Sequence, residues 1–178
     1  MRSFVAIPLP DDTRDALEAA QLRLPLGRLV VRENLHLTLA FLDDQSEEAL
    51  ELLHAELEHL RAPEFTVSLS GLGSFGGDKP RLIFANVLHN PALENLHRKV
   101  LNAARRAEII VARRRFHPHV TLARMRPGAG RGDRIANAIA TLNDLLFPAT
   151  PVSSFSLYRS DLHPDGPIYH ELARYDLV

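Results

Sequence analysis

The chain has 178 residues, 46% of them hydrophobic and 24% charged, with a formal net charge of -1. That composition suits one folded domain and excludes both a disordered chain and an overall basic surface drawing nucleic acid to every face. No cysteine is present, so disulfides, thiol nucleophiles and cysteine-ligated metals are excluded together, and a reducing, cytoplasmic setting is expected.

In chain order, Ser3–Ile7 reads as a strand, in an apolar start too short for a signal peptide. Asp11 or Asp12 caps a helix running to about Leu24, with Gly27 just beyond it. Leu35–Phe41 alternates as a strand, and the apolar run Leu37–Leu42 is too short to cross a bilayer. Ser46 caps a second helix, whose Leu50, Leu53, Leu57 and Leu60 form one face until Pro63 stops it. Phe65, Val67 and Leu69 alternate in the next strand. The order then starts again. Leu82–Leu88 is a strand, Asn90-Pro91 opens a helix faced by Leu93, Leu96, Val100 and Ala104, and Phe116–Ala123 is a strand. Asp133 opens a helix with Ile135, Ile139, Leu142 and Leu146, followed by strands over Val152–Tyr158 and Ile168–Tyr175. Each half reads strand, helix, strand, helix, strand, a weak internal duplication in which the order repeats but the residues mostly do not.

The middle strand of each half is the exception. One carries His36-Leu37-Thr38-Leu39 and the other His119-Val120-Thr121-Leu122. From nine His, six Thr and thirty Leu, chance yields roughly 0.05 copies of His-x-Thr-Leu. On a strand, residues i and i+2 share a face, so each His projects with its Thr while the leucines and Val120 turn the other way. If the halves pack about a pseudo-two-fold axis, the two polar faces meet across one cleft.

Two imidazoles facing each other suit the cleavage of a phosphodiester, which needs a base for the attacking oxygen and an acid for the leaving one, on opposite sides of phosphorus. A threonine hydroxyl beside each His can donate to the phosphoryl oxygens as charge builds there. No metal or cofactor is required on this reading. A single His-x-Thr is better explained as a half-buried strand histidine bonded to its neighbours; the equivalently placed pair favours acid–base chemistry. Symmetry alone does not say which His is acid and which is base.

Paired His-x-Thr motifs about eighty residues apart resemble those of the two-histidine (2H) phosphoesterases. More narrowly, the chain resembles the RNA 2',3'-cyclic phosphodiesterases, also called 2'-5' RNA ligases. The resemblance runs through Phe4-Val5-Ala6-Ile7-Pro8, Glu33-Asn34-Leu35-His36-Leu37-Thr38-Leu39, Phe116-His117-Pro118-His119-Val120-Thr121-Leu122-Ala123-Arg124 and Arg159-Ser160-Asp161-Leu162. One departure is Val31-Arg32 before Glu33, where a proline is expected. The resemblance implies a single α+β domain over residues 1–178, bilobal, with two pseudo-symmetric lobes, each an antiparallel sheet with flanking helices, around a central cleft. It implies hydrolysis of a terminal ribose 2',3'-cyclic phosphate to a 2'-phosphate, with an RNA 5'-hydroxyl in place of water giving a 2'-5' linkage. Carried over residue by residue, His36 is the proton donor, His119 the proton acceptor, and Thr38 and Thr121 hold the phosphate.

Arg124 is the candidate cationic helper, although strict alternation puts it on the face opposite His119, so it reaches the cleft only if the strand bends or bulges. Nine arginines between Arg105 and Arg134 stand against Glu108 and Asp133, a basic arc that suits an RNA backbone or is simply solvated surface. The expected partner is RNA ending in a cyclic phosphate, or a small cyclic nucleotide, met by a monomer. Two alternatives stay open: a metal-dependent hydrolase using His117 and His119, and a non-catalytic RNA-binding module. His54, His59, His89, His97, His163 and His170 lack a partner motif and read as ordinary helix, turn or surface residues. Gly71-Leu72-Gly73-Ser74-Phe75-Gly76 matches a dinucleotide fingerprint but precedes no helix, so it reads as a loop joining the lobes.

Overall fold

In the computed structural model, which describes residues 1–24, 27–126 and 132–178, two four-stranded antiparallel sheets face each other. The first runs in the order β10 (Ile168–Asp176), β9 (Ser154–Asp161), β1 (Arg2–Pro8), β3 (His36–Asp44). The second is ordered β2 (Arg28–Leu29), β7 (His119–Arg124), β6 (Leu82–Val87), β5 (Leu69–Phe75). A short pair, β4 (Phe65–Val67) with β8 (Thr150–Val152), stands apart from both. β1 is buried from Ser3 to Ile7 and lies inside its sheet, with β9 on one edge and β3 on the other.

The bilobal α+β expectation is met, but the lobes are not the two halves of the chain. β1 and β3 of the first half correspond to β6 and β7 of the second. The strands that close each half are exchanged: β5 joins β6, and β9 joins β1. Helices cross over too. α1 (Asp11–Gln21) packs on β7, and α3 (Pro91–Arg106) packs on β3 and on α2 (Glu47–Glu58), while α4 (Gly132–Thr141) lies on β5. Periodicity identifies strands but not their partners, so this interleaving has no trace in the hydrophobic pattern.

Local signals hold where they have a named donor or acceptor. Ser46 Oγ accepts from Ala49 N at 3.1 Å and Asn90 Oδ1 from Leu93 N at 3.0 Å, the N-caps expected before α2 and α3. Leu50, Leu53 and Leu57, and Leu93, Leu96, Val100 and Ala104, are buried as their spacing requires. Three readings need correction. The strand predicted through Phe65, Val67 and Leu69 is split into β4 and β5, which join different sheets. The glycine-rich stretch is not a loop between lobes: Leu69–Phe75 is a strand, in which Gly73 lets the ring of Phe84 lie close, an added Cβ meeting it at 2.6 Å. Leu146 falls beyond α4 and is 86% exposed, so it does not extend that helix's apolar face. No helix among the described residues is long and apolar enough to cross a membrane.

Candidate active site

β3 and β7 pack against each other where the two lobes meet. His36 and Thr38 are half-buried on one face of β3, with Leu37 and Leu39 buried on the other. His119 and Thr121 repeat this on β7 opposite Val120 and Leu122. After the threonine the alternation breaks, at the same place in both strands. The register steps from Ala6–Thr38 to Val5–Ala40 and leaves Leu39 unpaired; it steps from Phe84–Thr121 to Ile83–Ala123 and leaves Leu122 unpaired. These are β-bulges. Leu39 and Ala40, like Leu122 and Ala123, are consecutive and all buried, so the next residue returns to the histidine face. That residue is Phe41 on β3, 57% exposed, and Arg124 on β7. The bulge thus overturns the placement of Arg124 by strict alternation. Its side chain lines a hollow of about 130 Å³ together with His36, Thr121 and Tyr169.

A bulge frees a carbonyl, which must find a donor if it is buried. Leu39 O accepts from His97 Nδ1 on α3 at 2.8 Å. Leu122 O accepts from Gln21 Nε2 on α1 at 2.9 Å and from Val30 N at 2.9 Å. The helix packed on each strand therefore braces its bulge. His97, read from sequence as an ordinary helix residue, also stacks on Phe116 with ring centres 3.8 Å apart, linking the β3 bulge to the segment that leads into His119. Burial is the main reason its imidazole is held below the ordinary range.

Both motif histidines are oriented alike. His36 Nδ1 donates to Asn34 O and His119 Nδ1 donates to His117 O, each at 2.6 Å. Since a carbonyl only accepts, each neutral ring carries its proton on Nδ1 and keeps Nε2 as the open, basic atom. Thr38 Oγ1 lies 2.9 Å from His36 Nε2 and donates to it. Aromatic rings wall both sites: Phe4 and Tyr169 stand 5.0 and 5.4 Å from His36, Phe75 and Phe84 each 5.1 Å from His119. This lining removes water, and burial is the largest influence on both imidazoles. His36 is pushed down to about 4, against its bond to Asn34 and helped by the charges of His119 and Arg124. His119 is also lowered, by burial first and then by His117 and Arg124 against its own backbone bond. The charge of Arg124 thus lowers both imidazoles.

The turn before β3, where the resemblance expects a proline, is tied to α1 by charge. Arg32, on the 3-10 turn Arg32–Asn34, reaches three carboxylates of α1, Asp11 at 3.1 Å, Asp15 at 2.7 Å and Glu18 at 2.5 Å. These charges hold the turn that offers Asn34 O to His36. Asn34 also ties the β9–β10 connection to the site, its Nδ2 donating to Pro167 O at 2.8 Å.

His117 is exposed, its ring centre 6.1 Å from that of His119, and its part here is the carbonyl that holds His119. Among the described residues no group of three or more His, Asp or Glu converges as a metal cage would. Of the basic arc, Arg113, Arg114 and Arg115 are exposed just before Phe116, and Arg106 is paired with Glu56; Arg131 lies outside the described residues. A larger hollow of about 450 Å³, beside α4 at Arg23, Arg134 and Thr141, holds neither imidazole. Tyr169, Phe4, Phe84 and the bracing pair Gln21 and His97 were not singled out from sequence. Their common signal is proximity in space, which no motif spacing carries.

The profile of the 2'-5' RNA ligase superfamily matches residues 9–164. A Thermus thermophilus protein named RNA 2',3'-cyclic phosphodiesterase is 34% identical over 189 residues, covering 99% of this chain and 90% of its own. One of the same name from Aeropyrum pernix is 31% identical over 147 residues, covering 82% of this chain and 83% of its own. Among solved structures, Escherichia coli LigT in apo form superposes with a TM-score of 0.82 at 30% identity, covering 99% of this chain and 96% of that one. LigT complexed with 3'-AMP gives 0.80 at 29% identity, with coverage of 99% and 96%.

Proposed function

The chain belongs to the 2'-5' RNA ligase superfamily, and from that premise we propose that it hydrolyses a terminal RNA 2',3'-cyclic phosphate to a 2'-phosphate by paired histidine acid–base catalysis. Kinship with relatives named RNA 2',3'-cyclic phosphodiesterase makes it an enzyme of that type. The observation that carries the mechanism is the twofold repetition of one local device: a bulged strand and an imidazole fixed through Nδ1 to a backbone carbonyl, which leaves Nε2 as the basic nitrogen.

His119 Nε2 takes a proton from water as its oxygen bonds to phosphorus. The P–O3' bond, in line on the far side, breaks, and the departing oxygen takes its proton from Nε2 of His36. The P–O2' bond stays, leaving a 2'-phosphate and a 3'-hydroxyl. In the free site His36 is neutral, with its Nε2 occupied by Thr38. An anionic substrate between the lobes favours the charged imidazole; protonation of Nε2 then turns it into a donor and releases the Thr38 hydroxyl to the phosphoryl oxygens. Thr121 and Arg124 neutralise the charge that grows there. An RNA 5'-hydroxyl attacking in place of water would form a 2'-5' linkage with the same groups. One chain supplies both histidines, so a monomer suffices, and no step calls on a metal.

The test is RNA carrying a 2',3'-cyclic phosphate end, incubated with the protein in EDTA, with the 2'- and 3'-phosphate products resolved. The expected outcome is full activity yielding only the 2'-phosphate. Loss of activity in chelator restored by a divalent cation, or a 3'-phosphate product, would overturn this mechanism.

A further inference from the structure

Arg28 poses a question that the reaction above does not answer. It stands directly opposite Arg124 across the β2–β7 pair, and like charges facing each other on neighbouring strands are destabilising. A carboxylate between them would resolve this, yet no carboxylate lies within ion-pair distance of either arginine among the described residues. Both line the hollow that holds His36 and Thr121. The one acid there, Asp165, is 96% exposed at its side chain, and the nearby base is His163 at 3.9 Å. Two cations therefore line one small space in which neither is ion-paired among the described residues.

The fold goes to some length to bring Arg28 there. Gly27, just before Arg28, has φ +104°, a conformation that favours glycine, and an added Cβ would stand 3.3 Å from Ala123 Cβ on β7. From the second lobe the guanidinium then spans to the first. A Cβ built on Gly166, in the β9–β10 connection, would stand 3.4 Å from Arg28 Nη2. Arg124 and Arg28 line the same hollow, Arg124 from the strand that carries His119 and Arg28 from the neighbouring one.

We propose that Arg28 binds the phosphodiester on the 5' side of the terminal nucleotide, so that the site is built for an RNA strand and not only for a mononucleotide. The proposal rests on the reading of the site as a cyclic phosphodiesterase and adds a second phosphate to it. Two long, flexible arginine side chains rooted on adjacent strands, about 5 Å apart at the backbone, can reach two neighbouring phosphates of one strand. The planar fork of arginine matches the two free oxygens of a phosphodiester.

The experiment compares adenosine 2',3'-cyclic phosphate with the dinucleotide ApA ending in the same cyclic phosphate, on the wild type, Arg28→Gln and Arg28→Lys. The wild type should favour the dinucleotide in kcat/KM by tenfold or more. Arg28→Gln should lower that preference by at least about fivefold, Arg28→Lys should restore part of it, and the salt dependence of log KM for the dinucleotide should flatten by about 0.7, one phosphate's worth on a single strand. Arg28→Lys should unfold with the wild type, and Arg28→Gln no earlier than it, since Arg28 is exposed and the Gln variant only removes one of two facing like charges. No dinucleotide preference in the wild type, or an equal loss on both substrates in Arg28→Gln, would overturn the proposal. If the wild type hydrolyses neither, the catalytic reading fails by itself. Affinities for adenosine 2'-phosphate and for ApA ending in a 2'-phosphate then decide about Arg28, by the same change in their ratio.

Discussion

His36 is a partly buried imidazole whose ionisation differs between folded and unfolded chains, and this should make the protein sensitive to mild acid. In the unfolded chain the ring titrates near 6.5, while in the fold, walled by Phe4 and Tyr169 and facing the charges of His119 and Arg124, it is pushed down to about 4. Between those values the unfolded chain binds the extra proton and the native chain does not, so stability rises with pH across that window. The contribution is fully present above pH 6.5 and is lost as pH falls toward 4. Each pH unit of displacement is worth about 1.4 kcal/mol, so the loss reaches about 3 kcal/mol at pH 4, a large share of the 5–15 kcal/mol typical of a domain. Urea unfolding at pH 7 and pH 4, for the wild type and His36→Gln, isolates this residue, because the other titrating groups are common to both proteins. The wild type should lose about 3 kcal/mol more than the variant between the two pH values. Equal losses in both would refute the view that His36 is kept neutral by its surroundings.

Two further outcomes follow from the same geometry. Because both motif imidazoles lie below their ordinary range in the free protein, the bell of kcat/KM for a nucleoside cyclic phosphate should peak on the acid side of pH 6.5. The kcat profile should lie at higher pH, since the bound anion raises both; a profile flat from pH 5 to 9 would contradict it. His97→Ala removes a stacked ring and leaves Leu39 O without its donor, and should cost about 2–4 kcal/mol in denaturant unfolding. His97→Gln, which keeps a donor, should recover part of that and of kcat, whereas a cost below about 0.5 kcal/mol would deny the brace.

What the sequence could convey is set by how locally each feature is encoded. Ser46 and Asn90 act within three residues of themselves, so their caps are visible in a line of text. His36 with Thr38, and His119 with Thr121, share a face because a strand alternates, and the repetition of the pair points to the chemistry proposed for it. The bulges at Leu39 and Leu122 are different. Each depends on a donor from a helix far along the chain, His97 and Gln21, and only the bulge turns Arg124 toward the histidines. The exchange of β5 and β9 between sheets depends on pairing energies between distant segments, which hydrophobic period does not encode. Tyr169 and the Pro167 carbonyl reach the site only because that exchange brings the β9–β10 hairpin beside β1, with its turn within reach of Asn34 and His36. The ion pairs of Arg32 with α1, which hold the turn before His36, likewise join residues that lie apart in the chain.

The central claim is that His36 and His119 act as one unit on one phosphorus atom, and a double-mutant cycle addresses it most directly. Single-turnover hydrolysis of a nucleoside 2',3'-cyclic phosphate should be measured for the wild type, His36→Ala, His119→Ala and the double variant, each checked for native unfolding behaviour. Either single change should slow hydrolysis by ~10²-fold or more, and the double variant should be little slower than the worse single one. Strictly multiplicative losses, or a single variant retaining near wild-type rate, would contradict a paired acid and base.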